Sequence, residues 1–180
     1  MTSETPPFQE LYDLGDLGRG TAEMRVHASG DELARIAEWA GILAVDSFTA
    51  EITLRKHAAN SFSLDADLSA DVVQECVVTL EPVRGHIARR VHRELHLSQA
   101  LRHRSDTGVA LSQHAGEDDV PEEIDSLEYD LAAPLLEEFS LALDSYPRAP
   151  GVEFAAPEPE EADEKPESPF AVLKNLKNPS

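Results

Sequence analysis

Apolar and polar residues alternate with a period of two over two consecutive stretches of the chain, as they do in a half-buried strand. The apolar members are Phe48, Ala50, Ile52, Leu54, Phe62, Leu64, Ala66 and Leu68. Residues 72–80 form a mostly apolar run that predicts a third strand, buried on both faces. Residues 87–97 predict a fourth, and residues 22–28 predict a short strand ahead of all of these. We therefore expect a small, curled, mostly antiparallel sheet or a partly open barrel.

Two helices are predicted to pack on this sheet. Ser29 and Glu32 have the spacing of a capping box, and apolar residues at helical spacing then run to Gly41, so a helix is predicted over about 31–40. A second helix is predicted over about 132–144. The predicted fold class is α+β.

Two further segments complete the predicted domain of residues 1–150. Residues 102–123 are polar and predict a loop, and residues 127–131 predict an edge strand of the sheet. The loop includes the acidic run Glu117, Asp118 and Asp119, which is typical of a solvated surface rather than of a calcium site, because the ligand spacing and the central glycine are missing.

The end of the chain has a different composition. Residues 151–167 are rich in Pro, Glu and Ala, and they predict a disordered acidic linker because they cannot bury enough apolar area to offset the entropy of ordering. Residues 168–180 predict a short amphipathic docking peptide that folds on docking, since an isolated helix of this length is marginal in water. We expect a separate partner to receive it, and the alternatives are a frayed end or a helix folded back on the domain. The docking candidates are Pro169, Phe170, Leu173, Lys174, Leu176 and Lys177.

Charge is distributed unevenly along the chain. The net charge is −20. Residues 1–113 hold 11 Lys and Arg against 17 Asp and Glu, whereas residues 114–180 hold 4 against 18. Such an acidic chain should not adhere to polyanions in general or to anionic membranes. The chain has no apolar run of membrane-spanning length and no signal-peptide pattern at its start, so a cytoplasmic location is predicted.

One basic stretch, residues 84–104, stands against this acidity. On a strand, Arg84, His86, Arg90, His92 and His96 would share one face and could contact RNA phosphates. The RNA-binding candidates are Arg84, His86, Arg89, Arg90, His92, Arg93 and His96. The alternative is a solvated sheet face whose charge is neutralised by the acidic second part of the chain.

No catalytic residue, cofactor site or metal site is predicted. His92, Glu94 and His96 do not have the spacing of a zinc protease motif, and arginines nearby would oppose a cation. Cys76 is expected to lie inside an apolar strand, where cysteine acts as a small buried hydrophobe. We therefore expect a protein that is not an enzyme.

Three segments together resemble the YceD family of bacterial and plastid proteins, in an alphaproteobacterial type. They are residues 74–83 (QECVVTLEPV), 138–148 (EFSLALDSYPR) and 168–177 (SPFAVLKNLK). The family is linked to accumulation of large-subunit ribosomal RNA, its genes commonly lie beside one for a large-subunit ribosomal protein, and it has no established catalytic activity. Many relatives have Cys-x-x-Cys where this chain has Cys76 and Thr79, so the resemblance implies no zinc or redox role for that motif here.

The resemblance implies a non-enzymatic ribosome-biogenesis factor. Its partner would be large-subunit ribosomal RNA or its precursor, a basic ribosomal protein, or both. The alternative is an acidic chaperone that shields a basic ribosomal protein before it reaches RNA. The oligomeric state is left open.

Overall fold

A computed structural model describes residues 6–18, 20–98 and 121–152. An open five-stranded sheet forms the body of the molecule. The strands are β1 (Leu11–Asp13), β2 (Thr21–His27), β3 (Ala44–Ala58), β4 (Ser61–Glu75), β5 (Pro82–Leu97), β6 (Glu122–Ile124) and β7 (Glu128–Asp130). The helices are α1 (Gly30–Ala40) and α2 (Ala132–Ala142), and a 3-10 turn covers Leu14–Leu17. The main sheet has the order β2-β3-β4-β5-β6 and is antiparallel except between β5 and β6. The predicted α+β class with a mostly antiparallel sheet is confirmed, and within the described residues the sheet is open rather than closed.

The prediction of a separate strand over residues 72–80 is wrong. β4 runs without interruption from Ser61 to Glu75, and a turn follows it before β5 begins. Val72 and Val73 are both buried, so the alternation is lost at the end of β4 while the strand itself continues. Leu80 in the turn adopts a positive φ of 61°.

The prediction that residues 127–131 form an edge strand of the main sheet is also wrong. β7 pairs with β1 in a separate two-stranded sheet, with Tyr12 opposite Tyr129. The main sheet instead gains β6, which runs parallel to residues 95–97 of β5 and takes in the last part of the predicted loop. These pairings join segments that are distant in sequence, so the local pattern could not reveal them. The acidic run of residues 117–119 lies outside the described residues.

Helix α1 begins and ends where its sequence predicts. The carboxylate of Glu32 accepts hydrogen bonds from the backbone N–H and the hydroxyl of Ser29, both at 2.6 Å. These bonds satisfy a donor that the first turn of the helix leaves free and lower the pKa of Glu32. Gly41 ends the helix in the left-handed conformation, with φ of 66°.

The core lies between the sheet and the two helices. Alternate residues of β3, β4 and β5 point inward, and they meet Ile36 of α1 and Phe139 of α2. The ring of Phe48 at the centre makes edge-to-face contacts with Phe8 and Phe139, at centroid distances of 6.0 and 5.5 Å. One face of the sheet is therefore closed to solvent, and the other is exposed.

The predicted linker and docking peptide fall at residues 151–180, of which only residues 151 and 152 are described. The domain boundary at residue 150 stays a prediction. None of the helices in the described part of the chain is long and apolar enough to cross a membrane.

Two truncations in α2 should separate core packing from helix content. Phe139 is fully buried, whereas Leu141 is 79% exposed. Phe139→Ala should lower the free energy of unfolding by about 3–5 kcal/mol, because it leaves a cavity against Phe48. Leu141→Ala should change it by less than about 0.5 kcal/mol. Chemical denaturation measures both, and equal effects would contradict the described orientation of α2.

Candidate functional site

The register between β4 and β5 decides where the basic side chains of β5 lie. His86, Arg90 and His92 stand opposite Asp71, Asp67 and Asp65 of β4. Because successive side chains of a strand point to opposite faces, Arg84 and His96 share this face with them. The five residues therefore line the exposed face of the sheet, which we call the outer face.

Arg89 and Arg93, the other two candidates, belong to the opposite face. Arg89 donates from Nη1 to the carbonyl of Ala88, at 3.2 Å. Arg93 reaches α2, where its Nη2 lies 3.2 Å from a carboxylate oxygen of Glu137 and 3.5 Å from one of Glu138. The seven candidates thus do not form one surface, and Arg93 acts as a clamp between β5 and α2.

Carboxylates of β3 and β4 pair with the basic residues of the outer face. Nδ1 of His86 and of His92 lies 2.8 Å from Oδ1 of Asp71 and Asp65 respectively. Nε of Arg90 lies 3.1 Å from Asp67.

Arg84 is paired as well, since its Nη1 lies 2.7 Å from Oδ2 of Asp46. The alternative placed the neutralising acids in the second part of the chain. Among the described residues, acids of the neighbouring strands pair with the basic residues of the outer face, and Glu137 and Glu138 of the second part pair with Arg93.

Taken as a whole, the outer face is acidic. Arg25 pairs with Glu51, and Arg55 pairs with Asp65. By register, the carboxylates of the face are Glu23, Glu51, Asp65, Asp67, Asp71 and Glu94. The arginines are Arg25, Arg55, Arg84 and Arg90. Within the described residues, these six acids and Glu123, which lies beside His96, face four arginines, so negative charge is in excess even before Asp46 is counted.

A shallow depression crosses this face. It has a volume of about 710 Å³, and small side chains of Thr49, Ser69 and Ala88 form part of its floor. The charged row that includes Glu51 and Asp67 borders it. The depression can therefore receive a side chain or an extended segment between fixed charges.

Asp65 and Asp71 of β4 are held in the ionised state. Hydrogen bonds from Ser47 and His86 lower the pKa of Asp71. Partial burial acts to raise the pKa of Asp65, but hydrogen bonds and positive charge from His92 and Arg55 outweigh it, so the pKa is lowered. Sequence reasoning missed these aspartates as site residues, although their period-two spacing in β4 was visible. The sequence did not reveal which residues of β5 these aspartates would face.

His92 and His96 cannot share a metal ion on this strand. Four residues of extended chain separate their Cα atoms by about 13 Å. His92 is already hydrogen-bonded to Asp65, and His96 lies beside Glu123 of β6. Within the ranges that the structure describes, no group of three His, Cys, Asp or Glu side chains could hold a metal ion.

Cys76 lies in the turn that follows β4 rather than inside a strand, which corrects the prediction. We call this turn, together with the chain after α2 that packs on it, the Cys76 corner. Cys76 is fully buried at the end of β4, and its Sγ accepts hydrogen bonds from the N–H groups of Thr79 at 3.5 Å and Ala149 at 3.3 Å. Hydrogen bonding to the Thr79 side chain, and then to backbone N–H groups of Thr79, Ala149 and Val78, lowers the pKa of Cys76 to about 7.

The same corner joins two of the segments that carry the family resemblance. The N–H of Val77 donates to the carbonyl of Pro147 at 2.9 Å, and the side chain of Gln74 donates to the carbonyl of Asp144 at 2.9 Å. The thiol thus helps to hold the turn after β4 against the chain that leaves α2.

Fold and surface together define a small α+β domain with one buried sheet face and one face of paired charges. The family model described as Large ribosomal RNA subunit accumulation protein YceD matches residues 64–177. The match covers more than half of the chain, which therefore belongs to this family, as its sequence predicts. No curated protein matches the chain, and no solved structure matches it.

The stability of the domain should depend on the charge of Asp65. A carboxyl with a lowered pKa in the folded state stabilises the fold above its ordinary pKa, and this contribution is lost as the pH falls through the folded value. The free energy of unfolding should thus decrease below about pH 4, and Asp65→Asn should reduce this slope. Urea denaturation at pH 2.5–7 measures how the free energy of unfolding depends on pH. Ser69→Asn, on the same face of the same strand, is the control. Equal slopes in both variants would contradict the prediction.

Removal of the Cys76 thiol should loosen the corner. Cys76→Ala leaves the buried N–H of Ala149 without its acceptor, so the free energy of unfolding should decrease. Val77→Ala removes a half-exposed neighbouring side chain and serves as the control. Thermal denaturation of both variants measures the effect. The prediction would be wrong if the two variants were equally stable.

Proposed function

We propose that this protein supports the accumulation of large-subunit ribosomal RNA by binding a basic ribosomal protein on the outer face of its sheet. The family to which the chain belongs supports the role in RNA accumulation. The observation that supports a basic partner is the excess of carboxylates over arginines on that face.

The charge of the outer face favours a cationic partner over naked RNA. Lysine and arginine side chains of a partner can enter the existing ion pairs and contact the carboxylates of Asp65, Asp67 and Asp71, which are already oriented by their partners on β5. A phosphate backbone would meet net negative charge there and along residues 114–180. Charge complementarity of this kind speeds association and selects the partner, and salt weakens it.

A second candidate function, direct contact with RNA, rests on the exposure of two arginines. The side chains of Arg84 and Arg90 are 80% and 82% exposed although both are ion-paired. Exposed ion pairs contribute only about 0–1 kcal/mol each, so a phosphate can replace the carboxylate at little cost. RNA would then bind along β5 rather than across the whole face.

We infer that the protein acts by binding and not by catalysis. In the part of the chain that the structure describes, the four arginines of the outer face and His86 and His92 are each paired with a carboxylate, so none of these groups is free to act as an acid or base on a reacting group. A cytoplasmic location accords with this role, because the proposed partners are components of the ribosome.

The two partners can be distinguished by variants of opposite charge in the full chain. Asp65→Asn/Asp67→Asn should weaken binding of a basic large-subunit ribosomal protein by about 3–10-fold, since two rim charges are lost. Arg84→Gln/Arg90→Gln should leave that binding unchanged or strengthen it. Fluorescence anisotropy at two salt concentrations measures both affinities, with a large-subunit RNA fragment as the second ligand.

The control is Asp31→Asn/Glu38→Asn, which makes the same change in net charge on the exposed side of α1. It should have little effect on either ligand. If instead the arginine variant lost RNA binding and the aspartate variant kept protein binding, the RNA-binding candidate would replace the proposed one. In cells that lack the chain, the ratio of large-subunit to small-subunit RNA should decrease, and an unchanged ratio would exclude both.

A further inference from the structure

A cavity opens where the ends of α1, α2 and β4 meet, and it shares no lining residue with the charged depression. Its volume is about 460 Å³, within the roughly 300–1,000 Å³ of typical ligand pockets. Its apolar lining comes from Ile42, Leu43, Leu143 and Pro147, and Glu75 and Asp144 add carboxylates. This mixture of apolar and acidic lining residues suits an amphipathic, basic ligand.

Large apolar side chains around this cavity are exposed. Leu43, which lines it, is 51% exposed, and Tyr146, between the lining residues Ser145 and Pro147, is 72% exposed. Clustered exposure of this kind marks an interaction site, whereas a single exposed leucine does not.

We propose that residues 168–177 of the same chain dock in this cavity. The sequence of this segment predicts a short helix with Phe170, Leu173 and Leu176 along one side. At 1.5 Å per residue, these three side chains span about 9 Å, and they would cover the apolar lining as a helix in a groove does. This inference concerns the protein's own chain and does not depend on the proposed partner.

The position at which the described chain ends places the segment within reach. Residue 152 follows the lining residue Pro147 by five positions, and the N–H of Val152 donates to Ala149 in the Cys76 corner. Fifteen residues, 153–167, then separate it from the segment. A flexible chain of that length has a root-mean-square span of about 20 Å. The tether of residues 153–167 therefore begins beside the cavity and is long enough to bring residues 168–177 back to it.

Charge favours the same occupant. Lys174 and Lys177 of the segment are complementary to Glu75 and Asp144, and the described residues that line the cavity include no lysine or arginine. The tether need not become ordered, because only its two ends are fixed, and a short flexible linker gives an effective concentration of about 1 mM. An intrinsic dissociation constant of about 0.1 mM would then keep the cavity about 90% occupied. A separate partner would have to displace the segment first.

Hydrogen exchange of the full chain tests this docking. Phe170→Asp/Leu173→Asp should remove the segment and speed amide exchange at residues 40–44 and 141–147 by about tenfold. Ala171→Asp/Asn175→Asp adds the same two charges on the other side of the predicted helix and should leave exchange unchanged. Emission of Trp39, the single tryptophan, which lies next to the lining residue Ala40, reports the same event.

Three results would overturn the proposal. The first is equal exchange at residues 40–44 and 141–147 in the wild type and both variants. The second is protection that disappears when the wild type is diluted from 100 to 5 μM, because the segment would then bind a second copy. The third is loss of a co-purified ribosomal protein from the Phe170→Asp/Leu173→Asp variant with unchanged exchange at the cavity, which would assign the segment to a separate partner.

Discussion

The register of β3, β4 and β5 is the constraint on which the rest of the structure depends. β3 and most of β4 alternate apolar and polar residues, and β5 turns Ile87, Val91 and Leu95 inward, so a slip of one residue would turn these inward side chains outward. Such a slip would place Asp65 and Asp67 in the core, and burying unpaired carboxylates costs several kcal/mol each. Burial of Phe48, Phe62 and Leu64 on the other face therefore fixes how the strands pair.

The charge pattern of the outer face follows from that register. Once the core fixes the strand pairing, Asp65, Asp67 and Asp71 must lie opposite His92, Arg90 and His86. The pairs contribute little to stability, because exposed ion pairs are weak. Their effect is on recognition, since they turn a basic strand into part of an acidic surface. A partner of this surface meets fixed and oriented carboxylates.

A second organising contact lies at the Cys76 corner, where the turn after β4 meets the chain that follows α2. Cys76 and Ala149 are 73 positions apart in sequence, and the thiol joins them by accepting an N–H. The sequence places Cys76 in a strand because the residues around it are apolar. Only the tertiary contact shows that Cys76 belongs to a turn that packs against the chain after α2. The same contact brings the end of the described chain beside the cavity at α1 and α2.

The sequence by itself determined the elements whose signals are local. The capping box of Ser29 and Glu32, the stop at Gly41 and the alternation in β3 and in β4 up to Leu68 depend on neighbouring residues, so α1 and most of these two strands could be predicted. Tertiary structure decided which strands pair and which acid faces each arginine, because these contacts join segments far apart in the chain. It also paired β7 with β1 rather than with the main sheet, and it divided the basic residues of β5 between two faces. A basic stretch was visible in the sequence, but its neutralisation by Asp65, Asp67 and Asp71 required the fold.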